Sequence, residues 1–206
     1  MTLPRPSKIV CVGRNYLEHA RELGNEVPER PLLFLKPPSA LVADGEPIVL
    51  PRASERVEHE GEIAVVIGRT ARDVAAGEAW EYVAGIAPLN DVTARDLQKT
   101  DGQWTRAKGF DTFCPMGAVV ALDGIDVAAL EVVCRVNGQE RQRGSIGQMA
   151  FDVPALIQYI SSVMTLEPGD VVATGTPAGV GPLRPGDVVE VEIPGVGTLR
   201  NPVEAA

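Results

Sequence analysis

The sequence lacks an excess of positive charge and any long uncharged run. Its 19 lysine and arginine residues are outnumbered by 28 aspartate and glutamate residues, which argues against a nucleic-acid or anionic-membrane partner because both bind positively charged surfaces. The longest segments without a formally charged residue, 153–166 and 171–183, are shorter than the roughly 18 to 20 apolar residues that a membrane-spanning helix needs. A small molecule or another protein is the expected partner.

Paired cysteines and an export signal are also missing. Cys11, Cys114 and Cys134 are widely separated and form no Cys-x-x-Cys motif, so buried reduced thiols are expected instead of a disulfide framework or a thiolate zinc site. Residues 1–8 contain no apolar segment ahead of a small-residue cleavage site, as an export signal would. A cytoplasmic location is the expectation that follows.

Glycine and proline, by contrast, are abundant, with 21 and 17 residues, which favours many short strands and turns. Helices are predicted at 16–23, at the turn from Thr93 to Gln98, and at 153–164, where Asp152 can cap the first turn. Because the strands do not alternate regularly with helices, the sequence predicts a β-rich, mixed α+β fold rather than a doubly wound parallel sheet. Strands are predicted at residues 8–12, 32–35, 48–50, 63–67, 82–88, 118–122, 132–136, 171–174 and 188–193.

The segment between the first helix and the second strand has the composition of a loop. Residues 23–31 include Gly24, Asn25, Pro28 and Pro31. We interpret this loop as a candidate lid hinge, since mobile loops near a site often carry function. A plain connecting loop is the alternative.

The sharpest local pattern is a run of acidic residues that leads into an aliphatic strand at 57–67, Val-Glu-His-Glu-Gly-Glu-Ile-Ala-Val-Val-Ile. Strand alternation places Glu58, Glu60 and Glu62 on one face and directs His59 to the other, where we expect it to be structural. Burying like charges at this spacing costs several kcal/mol each unless a positive group pairs with them. A divalent cation would do so, and oxygen ligands favour magnesium, manganese or calcium. The alternative is a solvated edge strand.

A third carboxylate stands at the end of a later strand. Asp91 follows the strand-like run 82–89, and strand ends are places where ligand-binding residues gather. Together with Glu60 and Glu62, it would leave about three positions of an octahedral magnesium ion for water and substrate. As an alternative, Asp91 caps a turn, although that explanation suits Thr93 better.

His19 and Glu22 lie three residues apart on the first predicted helix and therefore share one face. A carboxylate next to an imidazole orients the ring as a general base. The alternative is a surface pair of little energetic consequence.

Two further segments contain groups suited to an anionic ligand. Gln98 follows the Asp91 turn, and Lys108 lies in a stretch that mixes aromatic and basic residues. The glycine-rich segment 174–181, which contains Thr176, could bring backbone N–H groups close to a small anion. Solvated basic residues and a tight turn are the respective alternatives.

Five segments in this order resemble the fumarylacetoacetate hydrolase family, and the resemblance runs from about residue 8 to residue 202. The matching segments are Val-Gly-Arg-Asn-Tyr at 12–16 with His19 and Glu22, His-Glu-Gly-Glu at 59–62, Asn-Asp-Val-Thr-Ala-Arg-Asp at 90–96, residues 108–115, and Thr-Gly-Thr-Pro at 174–177. The sequence departs from the family pattern at Gly61, where a larger residue is more usual.

The resemblance implies a single catalytic domain over 1–206 with the fold of a mixed β-sandwich roll and few short helices. Residues 1–31 would supply an N-terminal strand, a lid helix and a hinge loop, and 32–206 would form the β-rich metal-binding core. The chain resembles the compact members of the family, which are usually homodimers. Magnesium or manganese would be bound by Glu60, Glu62 and Asp91.

The resemblance also implies roles for the other residues of the site. His19 and Glu22, which would lie on the lid, would activate a water molecule. Lys108 and Gln98 would hold the polarised substrate oxygens. The substrate carboxylate would be bound by Arg14 and Thr176.

These roles give a first functional hypothesis, which is metal-dependent hydrolysis of a carbon–carbon bond in acylpyruvates. Oxaloacetate decarboxylation is a second activity of the same site, since both reactions need a stabilised enolate. One alternative is an isomerase or decarboxylase of aromatic catabolism that acts on 2-hydroxyhepta-2,4-diene-1,7-dioate. Another is a non-catalytic metal-stabilised binding protein, which would have no use for His19, Glu22 and Lys108.

Overall fold

Two five-stranded sheets form the framework of the computed structural model, which describes residues 5–22, 24, 26 and 28–206. In spatial order, the first sheet consists of β2 (Leu32–Lys36), β1 (Ile9–Gly13), β12 (Val171–Ala173), β6 (Gly61–Ile67) and β7 (Val83–Asn90). The second sheet consists of β11 (Gln139–Ser145), β10 (Glu131–Val136), β14 (Val188–Ile193), β15 (Gly197–Ala205) and β4 (Ile48–Leu50).

Smaller sheets and short helices complete the described part of the chain. The minor sheets are β13 (Gly181–Pro182) with β5 (Val57–His59) and β8 (Thr93–Ala94), and β3 (Leu41–Val42) with β9 (Cys114–Pro115). The α-helices are α1 (Leu17–Glu22), α2 (Arg95–Thr100), α3 (Thr105–Lys108) and α4 (Val153–Val163). Short 3₁₀ helices lie at Pro38–Ala40, Ala76–Tyr82, Val127–Ala129 and Ile146–Gln148. None of the helices within these residues combines the length and apolarity required to cross a bilayer.

Both main sheets are mixed, as the sequence predicts. β1 pairs with β12 in parallel and β15 pairs with β4 in parallel, whereas the other pairs in these two sheets are antiparallel. The predicted β-rich, mixed α+β fold is therefore confirmed. The prediction of α4 is also confirmed, and the Asp152 side chain accepts a hydrogen bond from the Ala155 N–H at 2.9 Å, as an N-cap does.

The strand β6 has two faces with different partners. Ile63, Val65 and Ile67 belong to the main core, which they share with residues of the second sheet such as Val191. Ala64 and Val66 belong to a separate apolar cluster on the other side of the first sheet. This alternation fixes the direction in which the preceding acidic residues point.

One predicted strand is wrong. Residues 118–122 contribute only a single bridge, from Val120 to Ile86 of β7, with hydrogen bonds of 2.9 Å in both directions. Pro88, two residues further along β7, has no N–H to donate, so the ladder cannot continue as a regular strand pair.

The predicted hinge loop falls partly outside the described residues. Within 23–31, residues 23, 25 and 27 are not among them. Its action as a lid hinge stays a prediction.

Candidate metal centre and active site

Three buried carboxylates meet at one end of the first sheet. β6 pairs with β7 so that Gly61 lies opposite Asn90, and the Asp91 N–H donates to the Glu60 carbonyl at 2.8 Å. One carboxylate oxygen from each of Glu60, Glu62 and Asp91 lies within 4.8 Å of the others. The exposed fractions of these residues are 4%, 2% and 1%, so the three acids gather in an environment that strongly disfavours uncompensated negative charge.

This set of oxygens fits a divalent cation. Neighbouring ligands of an octahedral magnesium site are about 3 Å apart, and small side-chain movements would bring the three oxygens from within 4.8 Å of one another to that spacing. The set contains neither a thiolate nor an imidazole, which agrees with a hard cation such as Mg²⁺ or Mn²⁺.

Three buried cations accompany the acids. Lys108 Nζ donates to Glu60 Oε2 at 2.8 Å and to Asp91 Oδ2 at 2.7 Å. Lys36 Nζ donates to the other oxygen of Asp91 at 2.7 Å, and Arg95 bonds both Glu60 and Glu58. With Glu58 included, four buried carboxylates face three buried cations, which leaves one negative charge in excess among the buried groups, and the exposed Arg56 also forms an ion pair with Glu58.

That excess falls on Glu62. Burial, together with the neighbouring Asp91 and Glu60, raises the pKa of Glu62 well above its usual value. For Glu60, burial acts in the same direction, but Lys108 and Arg95 outweigh it and lower the pKa. A divalent cation at this position would favour ionised Glu62, because metal binding competes with protons for a carboxylate.

Lys108 is held in its charged form. Burial by itself would lower the pKa of Lys108, but Asp91 and Glu60 raise it overall. Its Nζ also lies 4.9 Å from the centre of the Phe34 ring, within the range of a cation–π contact.

The imidazole–carboxylate pair of α1 closes one side of the cavity. His19 Nδ1 lies 3.2 Å from Glu22 Oε2, and the Gly179 N–H donates to both Glu22 oxygens at 3.1 and 3.2 Å. Glu22 thus joins the helix to the glycine-rich segment. Since Nδ1 faces Glu22, Nε2 is the ring nitrogen left for water or substrate.

The structure brings together the nine residues that the sequence analysis proposed for the site. A narrow cavity with about 60 Å³ of free volume is lined by residues from six separate segments. Glu22 lies behind His19 and holds it from outside the cavity. The predicted lining residues are Arg14, His19, Glu60, Glu62, Asp91, Gln98, Lys108 and Thr176.

Three of these residues have specific local geometry. The backbone of Arg14 adopts a positive φ of 59°, which turns the chain sharply at the end of β1. Gln98 Oε1 accepts a hydrogen bond from Arg95 at 2.6 Å. Thr176 Oγ1 donates to the Gly61 carbonyl at 2.8 Å, so its hydroxyl hydrogen is already engaged within the protein and its backbone N–H is the donor left for a substrate.

The glycine-rich segment binds carboxylates that belong to the protein itself. The Gly175 N–H donates to Glu62 Oε2 at 2.8 Å, in the same way that Gly179 bonds Glu22. Gly175 and Gly179 have φ values of 102° and 100°, which favour glycine. The predicted close approach of N–H groups to an anion thus occurs with side chains of the site.

Sequence reasoning assigned no role to several residues of the site. Lys36 and Arg95 balance the carboxylates, and Phe34 and Trp104 form an aromatic wall with ring centres 5.3 Å apart. Arg95 stands within the motif 90–96, which could have indicated it. Lys36 is the last residue of the otherwise apolar strand β2 and gives no comparable signal.

The fold and this centre define a class of β-rich proteins whose buried carboxylates can hold a divalent cation. Within that class, the chain belongs to the fumarylacetoacetate hydrolase family, because residues 8–204 match the family described as Fumarylacetoacetate (FAA) hydrolase C-terminal. The resemblance seen in the sequence is confirmed.

Relatives in this family have several named activities. The oxaloacetate decarboxylase, mitochondrial, of Dictyostelium discoideum is 49% identical over 197 residues, which cover 93% of this chain and 90% of the relative. The structure of 5-carboxymethyl-2-hydroxymuconate delta-isomerase from Mycobacterium smegmatis is 48% identical, with a TM-score of 0.91, and the match covers 98% of this chain and 80% of that one. Fumarylpyruvate hydrolase from Pseudomonas aeruginosa, in complex with Mn²⁺ and pyruvate, is 33% identical, with a TM-score of 0.92 and coverage of 98% and 91%.

Proposed function

We propose that the protein is a divalent-metal-dependent enzyme that stabilises the enolate form of small 2-oxo acids and hydrolyses a carbon–carbon bond in acylpyruvates. The observation that carries this proposal is the buried triad Glu60, Glu62 and Asp91, with the Lys108 ammonium between two of its members. Mg²⁺ or Mn²⁺ is the proposed cofactor, and the Mn²⁺ and pyruvate in the Pseudomonas aeruginosa structure support this choice.

Each residue of the site would have a separate role in the reaction. A cation held by the triad would act as a Lewis acid toward the oxygens of the bound acid. Lys108 would exchange one of its carboxylate partners for the substrate oxygen on which negative charge develops. Arg14 and the Thr176 backbone N–H would bind the substrate carboxylate, and Gln98 would hold a polarised oxygen.

Hydrolysis also requires an activated water molecule. His19 Nε2 would accept a proton from the water while Glu22 holds the ring at Nδ1. The water oxygen adds to the distal carbonyl, and the bond from that carbon to the pyruvyl methylene breaks. The bonding electrons leave with pyruvate enolate, which takes up a proton to give pyruvate, and the acyl fragment becomes a carboxylic acid.

Oxaloacetate decarboxylation is the second candidate activity, favoured by the 49% identity to the Dictyostelium discoideum enzyme. Loss of carbon dioxide from oxaloacetate also yields pyruvate enolate, so Lys108 and the triad would serve unchanged. No water attacks in this reaction, and His19 would not be needed as a base. An isomerase similar to the Mycobacterium smegmatis protein would again rely on enolate stabilisation.

A panel of acylpyruvates, fumarylpyruvate and oxaloacetate, assayed with and without a chelator, tests this proposal. We expect turnover of at least one acylpyruvate that EDTA abolishes and that added Mg²⁺ or Mn²⁺ restores. Metal binding without turnover of any of these acids would contradict the enzyme proposal and favour a binding protein. Turnover of oxaloacetate alone would contradict the proposed acylpyruvate hydrolysis and would support decarboxylation as the activity of the site.

A further inference from the structure

Gln142 lies behind the metal centre on a strand that supplies none of the proposed ligands. It belongs to β11 of the second sheet, where its backbone is paired with that of Cys134 in β10. Gln142 is 1% exposed, and its side chain extends to Gly61 at the start of β6, between Glu60 and Glu62. The proposed reaction assigns it no role.

The amide group of Gln142 has a partner at each of its four hydrogen-bonding positions. Nε2 donates to Thr176 Oγ1 and to the Pro177 carbonyl, both at 2.7 Å. Oε1 accepts from the Gly61 N–H at 3.0 Å and lies 3.1 Å from His59 Nδ1. Because the Pro177 carbonyl can only accept and the Gly61 N–H can only donate, these contacts fix the orientation of the amide.

These contacts close a ring around Gly61. The Gly61 N–H donates to Gln142, Gln142 donates to Thr176, and Thr176 donates to the Gly61 carbonyl. Both backbone polar groups of Gly61 are thereby held. A Cβ at this position would lie 2.9 Å from that of Cys134, so only glycine permits the two strands to approach this closely.

Gly61 is the residue that separates the two proposed glutamate ligands. Glycine restrains its own φ and ψ less than any other residue, so the geometry of Glu60 relative to Glu62 depends on outside contacts. We propose that Gln142 is a positioning residue, which fixes the Gly61 backbone and thereby holds both carboxylates for one cation and Thr176 at the cavity wall. This inference rests on the metal site of the proposed function.

The test compares Mn²⁺ affinity, measured by electron paramagnetic resonance, in the wild type and in Gln142→Met, which has a similar length but makes no amide hydrogen bonds. We expect the dissociation constant to rise by about tenfold or more, since residues that orient metal ligands typically contribute 10- to 100-fold to affinity. The kcat for oxaloacetate or acylpyruvate should fall while KM changes less. An unchanged Mn²⁺ dissociation constant would overturn the inference.

Asn201→Leu is the matched control. Asn201 is also 1% exposed and lies in the second sheet, and its amide donates to the carbonyls of Ala43 and Glu46 at 2.9 and 2.8 Å, away from the cavity. This variant should lower the melting temperature and leave Mn²⁺ affinity unchanged. If it weakens Mn²⁺ binding as much as Gln142→Met does, the effect belongs to general loss of stability and the inference is overturned.

A double-variant cycle tests the ring itself. Thr176→Val removes the hydroxyl that both accepts from Gln142 and donates to Gly61. If the ring acts as a unit, adding Thr176→Val to Gln142→Met weakens Mn²⁺ binding no further than the weaker-binding single variant. If the two substitutions instead raise the Mn²⁺ dissociation constant by the product of their separate effects, the ring does not act as a unit. Should Gln142→Met not fold, Gln142→Asn retains the amide but is one methylene too short to span both partners, and the same loss of affinity is expected.

The outcomes separate this inference from the proposed function. Wild-type protein that binds Mn²⁺ but turns over none of the acids, with weakened binding in Gln142→Met, would sustain the positioning role and reject the enzyme proposal. Wild-type turnover together with unchanged Mn²⁺ binding in Gln142→Met would support the enzyme proposal and reject the positioning role. Wild-type protein that binds no Mn²⁺ would overturn both.

Discussion

A single residue separates Glu60 from Glu62, yet different groups hold the two carboxylates. Glu60 bonds to two buried cations, Arg95 and Lys108, whereas Glu62 accepts a hydrogen bond from the Gly175 N–H and makes no ion pair among the described residues. Removing the Glu60 side chain therefore takes a carboxylate partner from two buried cations. Removing the Glu62 side chain takes no partner from any of them. This difference decides which substitution is the cleaner test of the metal site.

We expect Glu62→Gln to fold and to lose its bound metal. The amide keeps an oxygen for the Gly175 N–H, leaves no buried cation unpaired, and is a far weaker ligand for Mg²⁺ or Mn²⁺. Metal content by mass spectrometry should fall to background, with a melting temperature of the metal-free protein close to that of the wild type. Stoichiometric metal in this variant would remove Glu62 from the ligand set.

Glu60→Ala should lose both metal and stability. It leaves Arg95 and Lys108 without one of their carboxylate partners, and breaking a buried pair in this way costs about 3–5 kcal/mol. Urea unfolding of the metal-free proteins measures this cost. A free energy of unfolding equal to that of Glu62→Gln would show that the cations do not depend on Glu60.

His19→Gln separates the two proposed reactions. The amide cannot accept a proton from water at neutral pH, so acylpyruvate hydrolysis should fall by about 10²- to 10⁴-fold, the usual contribution of a general base. Oxaloacetate decarboxylation and Mn²⁺ affinity should be nearly unchanged, because His19 is not a proposed ligand. Parallel loss of both activities would contradict its role as the base for water.

Gly179 connects the helix α1 to the glycine-rich segment of the site. Gly179 holds Glu22 through its N–H, has a φ of 100°, and approaches the Arg141 carbonyl so closely that a Cβ would lie 2.0 Å from that oxygen. Both the backbone conformation and the contact exclude a larger residue.

Gly179→Ala should therefore destabilise the protein by at least about 2 kcal/mol, since a strained left-handed residue alone costs roughly 1–2 kcal/mol and the clash adds to it. It should also lower hydrolysis by releasing Glu22. Gly77→Ala is the control, because a Cβ there meets no atom within 4 Å. Thermal unfolding of both variants decides the matter, and equal melting temperatures would contradict the steric argument.

The elements that sequence reasoning could predict are those whose pattern is local. Apolar strands such as β6 and β14 and the capped helix α4 follow from composition and periodicity. β11 escaped prediction because its sequence, Gln-Glu-Arg-Gln-Arg-Gly-Ser, is that of a polar edge strand and resembles a loop.

The same distinction applies to the site. Strand alternation correctly placed Glu60 and Glu62 together and directed His59 to the opposite face, where it meets Gln142. Lys36 and Gln142 reach the site from strands far along the chain. Their involvement depends on sheet pairing and on the packing of one sheet against the other, which a single sequence does not display.

Asp170 joins the N-terminal segment to β12. It is fully buried, and its carboxylate accepts hydrogen bonds from the Ser7 N–H and hydroxyl at 2.8 Å, from the Lys8 N–H at 3.1 Å and from the Glu167 N–H at 2.8 Å. Lys8 also forms an ion pair with it. These bonds secure the parallel pairing of β1 with β12 at the centre of the first sheet.

Asp170→Asn should destabilise the protein at neutral pH by about 1.5–3 kcal/mol, the range for hydrogen bonds to a charged group. Burial by itself would raise the pKa of Asp170, but the hydrogen bonds from Glu167, Lys8 and Ser7 lower it overall. A lowered pKa stabilises the fold fully above the unfolded value of about 3.9, and this contribution disappears as the pH falls through the folded value.

Urea unfolding at several pH values measures this effect. The difference in the free energy of unfolding between wild type and Asp170→Asn should be constant from pH 5 to 7 and shrink below about pH 4. A difference that stays the same in acid would contradict the assigned charge effect.

The ammonium of Lys108 rests between two carboxylates that the ion is proposed to bind. Because Lys108 and Arg95 already compensate two of the three carboxylates, we expect the polypeptide to fold without first binding a metal ion. Newly made chains would then fold first and bind the ion afterwards, and protein stripped by a chelator would bind it again. The fraction of protein with bound metal would then follow the free concentration of the ion, without any need to synthesise or degrade protein.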